Sequence, residues 1–243
     1  MPKSESLFFL KSLKEDGIEQ VYIPKKSNPV HTRCGQGATP GVDRERPPSA
    51  SVPKVPVPLE LQELRSKVLN CKLCSELAKT RNKVVFGSGN FQSELVFVGE
   101  APGADEDEQG LPFVGRAGQL LTKIIEAMGM TRDHVFICNV LKCRPPNNRP
   151  PAPEEVVHCR PYLKRQLEII KPKVIVALGN HAVKTLLQTE EGISELRGTF
   201  RTYEGIPLMC TYHPAYLLRS PGEKRKVWED MKKVMQLLKR SEE

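Results

Sequence analysis

From Leu59 onward, short unbroken runs of β-branched and apolar residues alternate with longer stretches in which apolar positions recur every three or four residues. The short runs predict strands over Leu95–Val98, Val135–Cys138, Val174–Leu178 and Pro207–Thr211. The longer stretches predict helices over Leu59–Leu69, Ala117–Met128, Glu154–Ile170, His181–Leu187 and Glu223–Lys239. Strands that are apolar throughout, each followed by a helix, imply an α/β fold with a parallel sheet buried on both faces. Ligands of such sheets bind at the carboxyl ends of the strands. That rule selects four loops: 99–118, 139–153, 179–180 and 212–219.

Before Leu59 the pattern differs. Leu7, Leu10 and Leu13 fall at roughly helical spacing, which predicts a short amphipathic element within residues 1–24. Residues 25–58 are rich in Pro, Ser, Gly, Arg and Lys, the composition of a flexible linker. The main domain is therefore expected over residues 59–243, and no internal repeat is evident.

Composition adds modestly to this. At 243 residues the chain fits one α/β domain with an extension. A formal net charge of +8 favours a polyanionic partner, although a solvated basic surface gives the same count. The apolar run near the N-terminus is too brief for a signal or membrane segment, so a cytoplasmic protein with no membrane partner is expected. In a reducing compartment, seven cysteines read as thiols or metal ligands rather than disulfides.

Four of them form a candidate metal set. Cys71 and Cys74 are a C-x2-C pair among polar residues, and Cys143 and Cys159 bracket a Pro-rich loop that can return two more thiolates. Four thiolates suit zinc or an iron–sulfur cluster, and the fifteen-residue gap in the second pair favours iron and sulfur over paired zinc knuckles. Ordinary buried thiols are the plainer alternative. Cys138 and Cys210 fall inside strands and Cys34 in the linker, and these three are read as unliganded.

Five ordered elements then resemble one family. Gly99-Glu-Ala-Pro-Gly103, Gly110-Leu-Pro-Phe-Val-Gly-Arg-Ala-Gly-Gln-Leu-Leu121, Asn139-Val-Leu-Lys-Cys-Arg-Pro-Pro146, the four cysteines, and His213-Pro-Ala-Tyr-Leu-Leu-Arg219 are similar to the family 4, iron–sulfur uracil-DNA glycosylases over nearly all of 59–239. The resemblance implies a three-layer α/β/α sandwich around a four-stranded parallel sheet, a 4Fe–4S cluster on Cys71, Cys74, Cys143 and Cys159, and hydrolysis of the N-glycosidic bond of uracil in DNA by a monomer.

It also implies roles. Phe113 is the face on which an extruded uracil stacks; without the family it reads as a core Phe. Asn139 donates to uracil O4 and accepts from N3, or else is a cap. His213 donates to O2 as charge develops on the leaving base. Glu100 assists near the sugar or the water in a role left open, and backbone around Gly99 and Ala101 completes the uracil site. Ala101 stands where other branches of the superfamily carry a water-positioning Asp. For DNA, Leu217 is read as an apolar wedge with Tyr216 and Arg219 beside it, and Arg144, Asn147, Asn148 and Arg149 as phosphate contacts. The acidic run Asp105 to Glu108 is read as a solvated loop.

Three rivals remain at this point. A covalent-trapping branch carries a His on an inserted basic loop, which is missing after Asn139. A metal-clamped nucleic-acid-binding module explains the charge and cysteines but not the ordered set Glu100, Phe113, Asn139 and His213. An iron–sulfur electron carrier predicts no DNA dependence. Nucleotide hydrolysis and nicotinamide binding are disfavoured, since neither G-x-x-x-x-G-K-S/T nor G-x-G-x-x-G is present.

Overall fold

The computed structural model describes residues 56–240. The amphipathic element and almost all of the linker expected before Leu59 lie outside these residues. Within them, the sheet runs β1(Ser88–Gly89), β3(Phe136–Asn139), β2(Leu95–Gly99), β4(Val174–Leu178), β6(Ile206–Thr211), β5(Phe200–Tyr203) from edge to edge. The four inner strands are parallel, as their apolar runs predict. The two edge strands are antiparallel and were not expected. The first has only two residues and so leaves no periodicity to read. The second forms a hairpin with β6 around Glu204 and Gly205, both at positive φ, the backbone that a tight two-residue turn requires.

The helices are α1(Leu59–Leu69), α2(Ser75–Thr80), α3(Ala104–Gln109), α4(Arg116–Ala127), α5(Pro153–Ile170), α6(Asn180–Leu187), α7(Ile193–Leu196), α8(Pro214–Arg219) and α9(Lys224–Arg240). Alternate strand residues feed two separate cores. Val96, Val98, Ile175, Ala177 and Leu208 pack with Leu61, Leu64 and Val68 of α1, Leu163 and Leu167 of α5, and Val183 of α6. Leu95, Phe97, Val174, Val176 and Met209 pack on the opposite face with Leu121 and Ile125 of α4 and with Trp228, Met231 and Val234 of α9. Each fully buried side chain of this kind contributes about 1.5–3 kcal/mol. The arrangement is a three-layer α/β/α sandwich.

The connections place the site. The chain passes from β2 to β3 through α4 on one face, then from β3 to β4 through α5 on the other, and β3 and β4 flank β2. This reversal opens a crevice above the carboxyl end of β2, where α/β sheets bind ligands. The end of β6 is pinned by Asp230 of α9, a fully buried carboxylate. It accepts 2.6 Å hydrogen bonds from Thr211 Oγ1 and Arg197 Nη2. Without those donors a buried charge would be uncompensated.

Candidate active site

A cavity of about 590 Å³ opens above the carboxyl ends of the inner strands. All four loops chosen by the strand rule, or the helix that follows them, reach it: Glu100 and Phe113 from the first, Asn139 and Arg149 from the second, His181 just beyond the third, and His213, Tyr216 and Arg219 from the fourth.

Asn139 is the last residue of β3 and is paired across the ladder with Gly99, rather than following the strand as expected. It is 1 % exposed, and its Oδ1 has no hydrogen-bond partner. A buried acceptor left unpaired costs about 1–3 kcal/mol, so this atom is poised for a donor on a ligand. Its own carbonyl accepts from Lys142 Nζ at 2.7 Å, and that buried ammonium also donates to Gln166 Oε1 at 2.6 Å.

Phe113 is buried and held at φ +52°, a left-handed conformation that side chains rarely adopt. Two glycines make room for it. A Cβ at Gly99 would lie 2.5 Å from the ring's Cζ, and one at Gly118 would overlap the Phe113 carbonyl. The ring stands 5.6 Å from that of His213, tilted by 32°.

His213 caps α8: its Nδ1 accepts from the Ala215 amide at 3.1 Å. In a neutral imidazole that bond leaves the proton on Nε2 as a donor. Burial pushes the ring's pKa down to about 4, so the neutral form prevails at ordinary pH. Glu100 is half-buried, and its carboxyl is raised above the usual range by burial, opposed by the charge of His181. His181 carries no sequence motif, and only the fold places it near Glu100.

The acidic run is helical rather than a loop, and while Asp105 and Glu108 are solvated as expected, Glu106 and Asp107 are not. It forms α3, and Glu106 Oε1 accepts from the amides of Val114 and Gly115 at 2.9 and 3.0 Å, while Oε2 accepts from Gly103 N at 3.1 Å. Asp107 is 1 % exposed and accepts from Asn82 N, Asn82 Nδ2 and Lys83 N. Glu106 stands three residues after Gly103 and accepts from its amide, the carboxylate half of a capping box, and that spacing is the sequence signal for this role.

On the DNA side, the structure redistributes the expected residues. Leu217 is 1 % exposed and packs into the core with α4 and α9, so it is not placed to insert between bases. Helical rotation turns Leu218, at 40 % exposure, outward instead. Tyr216 is exposed and its ring stands 5.0 Å from that of Tyr212. Arg219 is exposed at the cavity wall. Arg149 is placed differently from expectation: it ion-pairs with Glu155 at 2.6 Å and Glu76 at 2.7 Å, fastening the loop after β3 to α5 and α2. Arg144 Nε donates to Asn148 Oδ1 at 2.8 Å.

Cys71, Cys74, Cys143 and Cys159 come together from α1's exit, α2's entry, the loop after β3 and the second turn of α5. Burial pushes the Cys74 thiol up to about 12 and the Cys159 thiol up to about 11, with the neighbouring cysteines adding to each rise. Arg81 Nη1 donates to Cys143 Sγ at 2.9 Å. Among the described residues, no group of three or more His, Cys, Asp and Glu side chains closes around a single metal ion. Cys138 and Cys210 lie fully buried in strands, as their positions predict.

A sheet covered on both faces, with a cavity at its switch point walled by an aromatic face, an unpaired amide oxygen and a neutral imidazole, defines an α/β protein with a polar, aromatic-walled site. The chain belongs to the Uracil DNA glycosylase superfamily, whose sequence profile matches residues 86–232. It is similar to Type-4 uracil-DNA glycosylases. That of Thermotoga maritima is 45% identical over 186 residues, covering 74% of this chain and 96% of the relative. That of Sulfurisphaera tokodaii is 44% identical over 186 residues, covering 73% and 84%. That of Archaeoglobus fulgidus is 44% identical over 185 residues, covering 73% and 92%.

Proposed function

We infer that this protein is a uracil-DNA glycosylase of the type-4 class, a repair hydrolase that takes uracil out of the DNA stack and cleaves its bond to deoxyribose. The observation that carries the site reading is the unpaired Oδ1 of Asn139 beside Phe113. Uracil presents N3–H as a donor and O4 as an acceptor, which one amide satisfies. Cytosine presents an acceptor at N3 and a donor at C4, which leaves both amide atoms mismatched.

In this reading the extruded base stacks on Phe113 and pairs with Asn139. The N1–C1′ bond breaks with its electron pair leaving on the base. His213 Nε2–H then donates to O2, where the charge settles; a donor held in place before the reaction stabilises that state most. Water supplies the new oxygen at C1′, and Glu100 is the carboxylate assigned to the sugar and water. Its raised pKa supports acceptance of the water's proton.

Cys71, Cys74, Cys143 and Cys159 are assigned as the ligands of a 4Fe–4S cluster. Cys74 and Cys159 each feel the charge of the neighbouring cysteines, so the four sulfurs converge as a soft donor set for a cationic centre, and a cluster holds its sulfurs further apart than one ion does. When bound, the cluster supplies a covalent clamp between α2, α5 and the loop carrying Arg144 and Arg149. DNA is the assigned partner, with Arg219 and Tyr216 at the cavity wall and Arg144 on the loop after β3, and the protein acts as a monomer in the cytoplasm. Among the described residues no helix is long and apolar enough to cross a membrane.

The test is an oligonucleotide carrying one uracil, treated with the purified protein and then with alkali, beside a thymine control. Scission at uracil alone is expected. Tight DNA binding without scission would instead favour a trapping or binding role.

A further inference from the structure

Arg132 lies in the short 3-10 turn before β3, outside every motif singled out in the sequence and outside the residues that line the cavity. Its guanidinium nevertheless holds the residue assigned to the base. Nη2 donates to the Pro112 carbonyl at 2.7 Å, and Nη1 donates to the Phe113 carbonyl at 3.0 Å and to Thr122 Oγ1 of α4 at 3.2 Å. Two consecutive carbonyls are thus taken by one planar fork, and the fork is tied to the helix beneath.

The grip is two-sided. Glu106 accepts from the amides of Val114 and Gly115, immediately after Phe113, so residues 112–115 are held by a cation on their carbonyls and an anion on their amides. Between these grips sits Phe113 at φ +52°. An unfavourable backbone conformation persists only where its surroundings over-determine it, and charge-assisted hydrogen bonds from a rigid fork do so with direction as well as strength. The glycines at 99 and 118 only leave room for the ring and carbonyl. Arg132 and Glu106 choose the pose.

We propose that Arg132 is a positioning residue for uracil excision: by holding the Pro112 and Phe113 carbonyls it fixes the Phe113 ring at the angle against which the extruded base stacks. This rests on the assignment of Phe113 to the base. Arg132 lies outside the cavity lining and its fork is spent on Pro112, Phe113 and Thr122, so its loss should slow the chemical step while leaving grip on DNA intact.

The experiment compares single-turnover excision from uracil DNA with affinity for DNA carrying an abasic site, in Arg132→Lys, Arg132→Gly and Phe113→Ala. Lysine keeps charge and length but cannot serve two carbonyls in one plane. Arg132→Lys is expected to lower the single-turnover rate about 10- to 100-fold, the scale of a misplaced reacting group, with abasic-DNA affinity within about twofold of the parent. Millimolar guanidinium, but not ammonium, should restore Arg132→Gly by about tenfold or more, because only the fork shape replaces the lost contacts. The proposal is overturned if Arg132→Lys excises at the parental rate. Affinity falling in step with rate, or a folded Arg132→Gly that guanidinium does not rescue, also overturns it. If Arg132→Gly does not fold, Arg132→Lys decides alone. A Phe113→Ala variant with undiminished rate would sink the Phe113 assignment itself; a slow Phe113→Ala beside an unaffected Arg132→Lys would sink only the role given to Arg132.

Discussion

Gly99 and Phe113 meet where β2 ends: a single added carbon on Gly99 would stand 2.5 Å from the Phe113 Cζ and closer still to Asn139 Oδ1. The absence of a side chain at one residue therefore sets the positions of two others. Gly99→Ala is expected to displace both and to lower single-turnover excision on the order of 100-fold, with the fold retained. Parallel rate and melting measurements check this; a rate within about twofold of the parent would refute it.

His213→Ala should lower turnover on the order of hundredfold or more while affinity for uracil DNA changes far less, because a donor to a developing oxyanion acts mainly in the transition state. Single-turnover rates and binding isotherms together separate the two effects.

The same ring carries a pH signature. Its pKa falls from 6.5 to about 4 on burial, so between these values the unfolded chain binds more protons than the fold. The stability contributed by neutral His213 is fully present above 6.5 and is lost as pH falls through that window. Histidine-resolved NMR should find this imidazole titrating near 4; titration near 6.5 would contradict the neutral donor.

Asn139→Asp places a carboxylate where uracil O4 needs a donor. Excision of uracil should fall by at least tenfold, in line with the roughly 1–3 kcal/mol cost of an unpaired buried group. Equal losses on every base the parent accepts would indicate a folding defect instead.

Arg149 and Arg219 should separate by function. Arg219→Ala is expected to weaken DNA binding and reduce the slope of log affinity against log salt by about one. Arg149→Ala should leave the slope unchanged and lower Tm, since its donors are occupied by Glu155 and Glu76. An altered slope for Arg149→Ala would return it to the DNA surface.

Cys143→Ala should abolish bound iron and sulfide and expose the loop over residues 144–150 to protease. Elemental analysis and limited proteolysis read both, and retention of the parental iron and sulfide content would remove Cys143 from the ligand set.

The sequence by itself determined the layers. Val96, Val98, Ile175 and Ala177 alternate with Leu95, Phe97, Val174 and Val176, and because all are apolar, each face of the strand had to be covered; period and composition are local properties of a chain. Strand ends likewise pointed to Asn139 and His213 as site residues. The tertiary structure alone decided the rest. Whether an acid in Asp105 to Glu108 is solvated or buried depends on which amides the loop brings to it, and Glu106 meets Val114 and Gly115 only once 112–115 has turned back. Leu217 and Leu218 are identical in kind and adjacent in sequence, and the rotation of α8 against α4 and α9 buries one and exposes the other. Arg132 is nineteen residues from Phe113 and carries no motif, so its hold on that carbonyl exists only in three dimensions. Hydrogen bonds and charges act over a few ångströms of space, whatever their separation along the chain, which is why patterning gave the frame and folding the site.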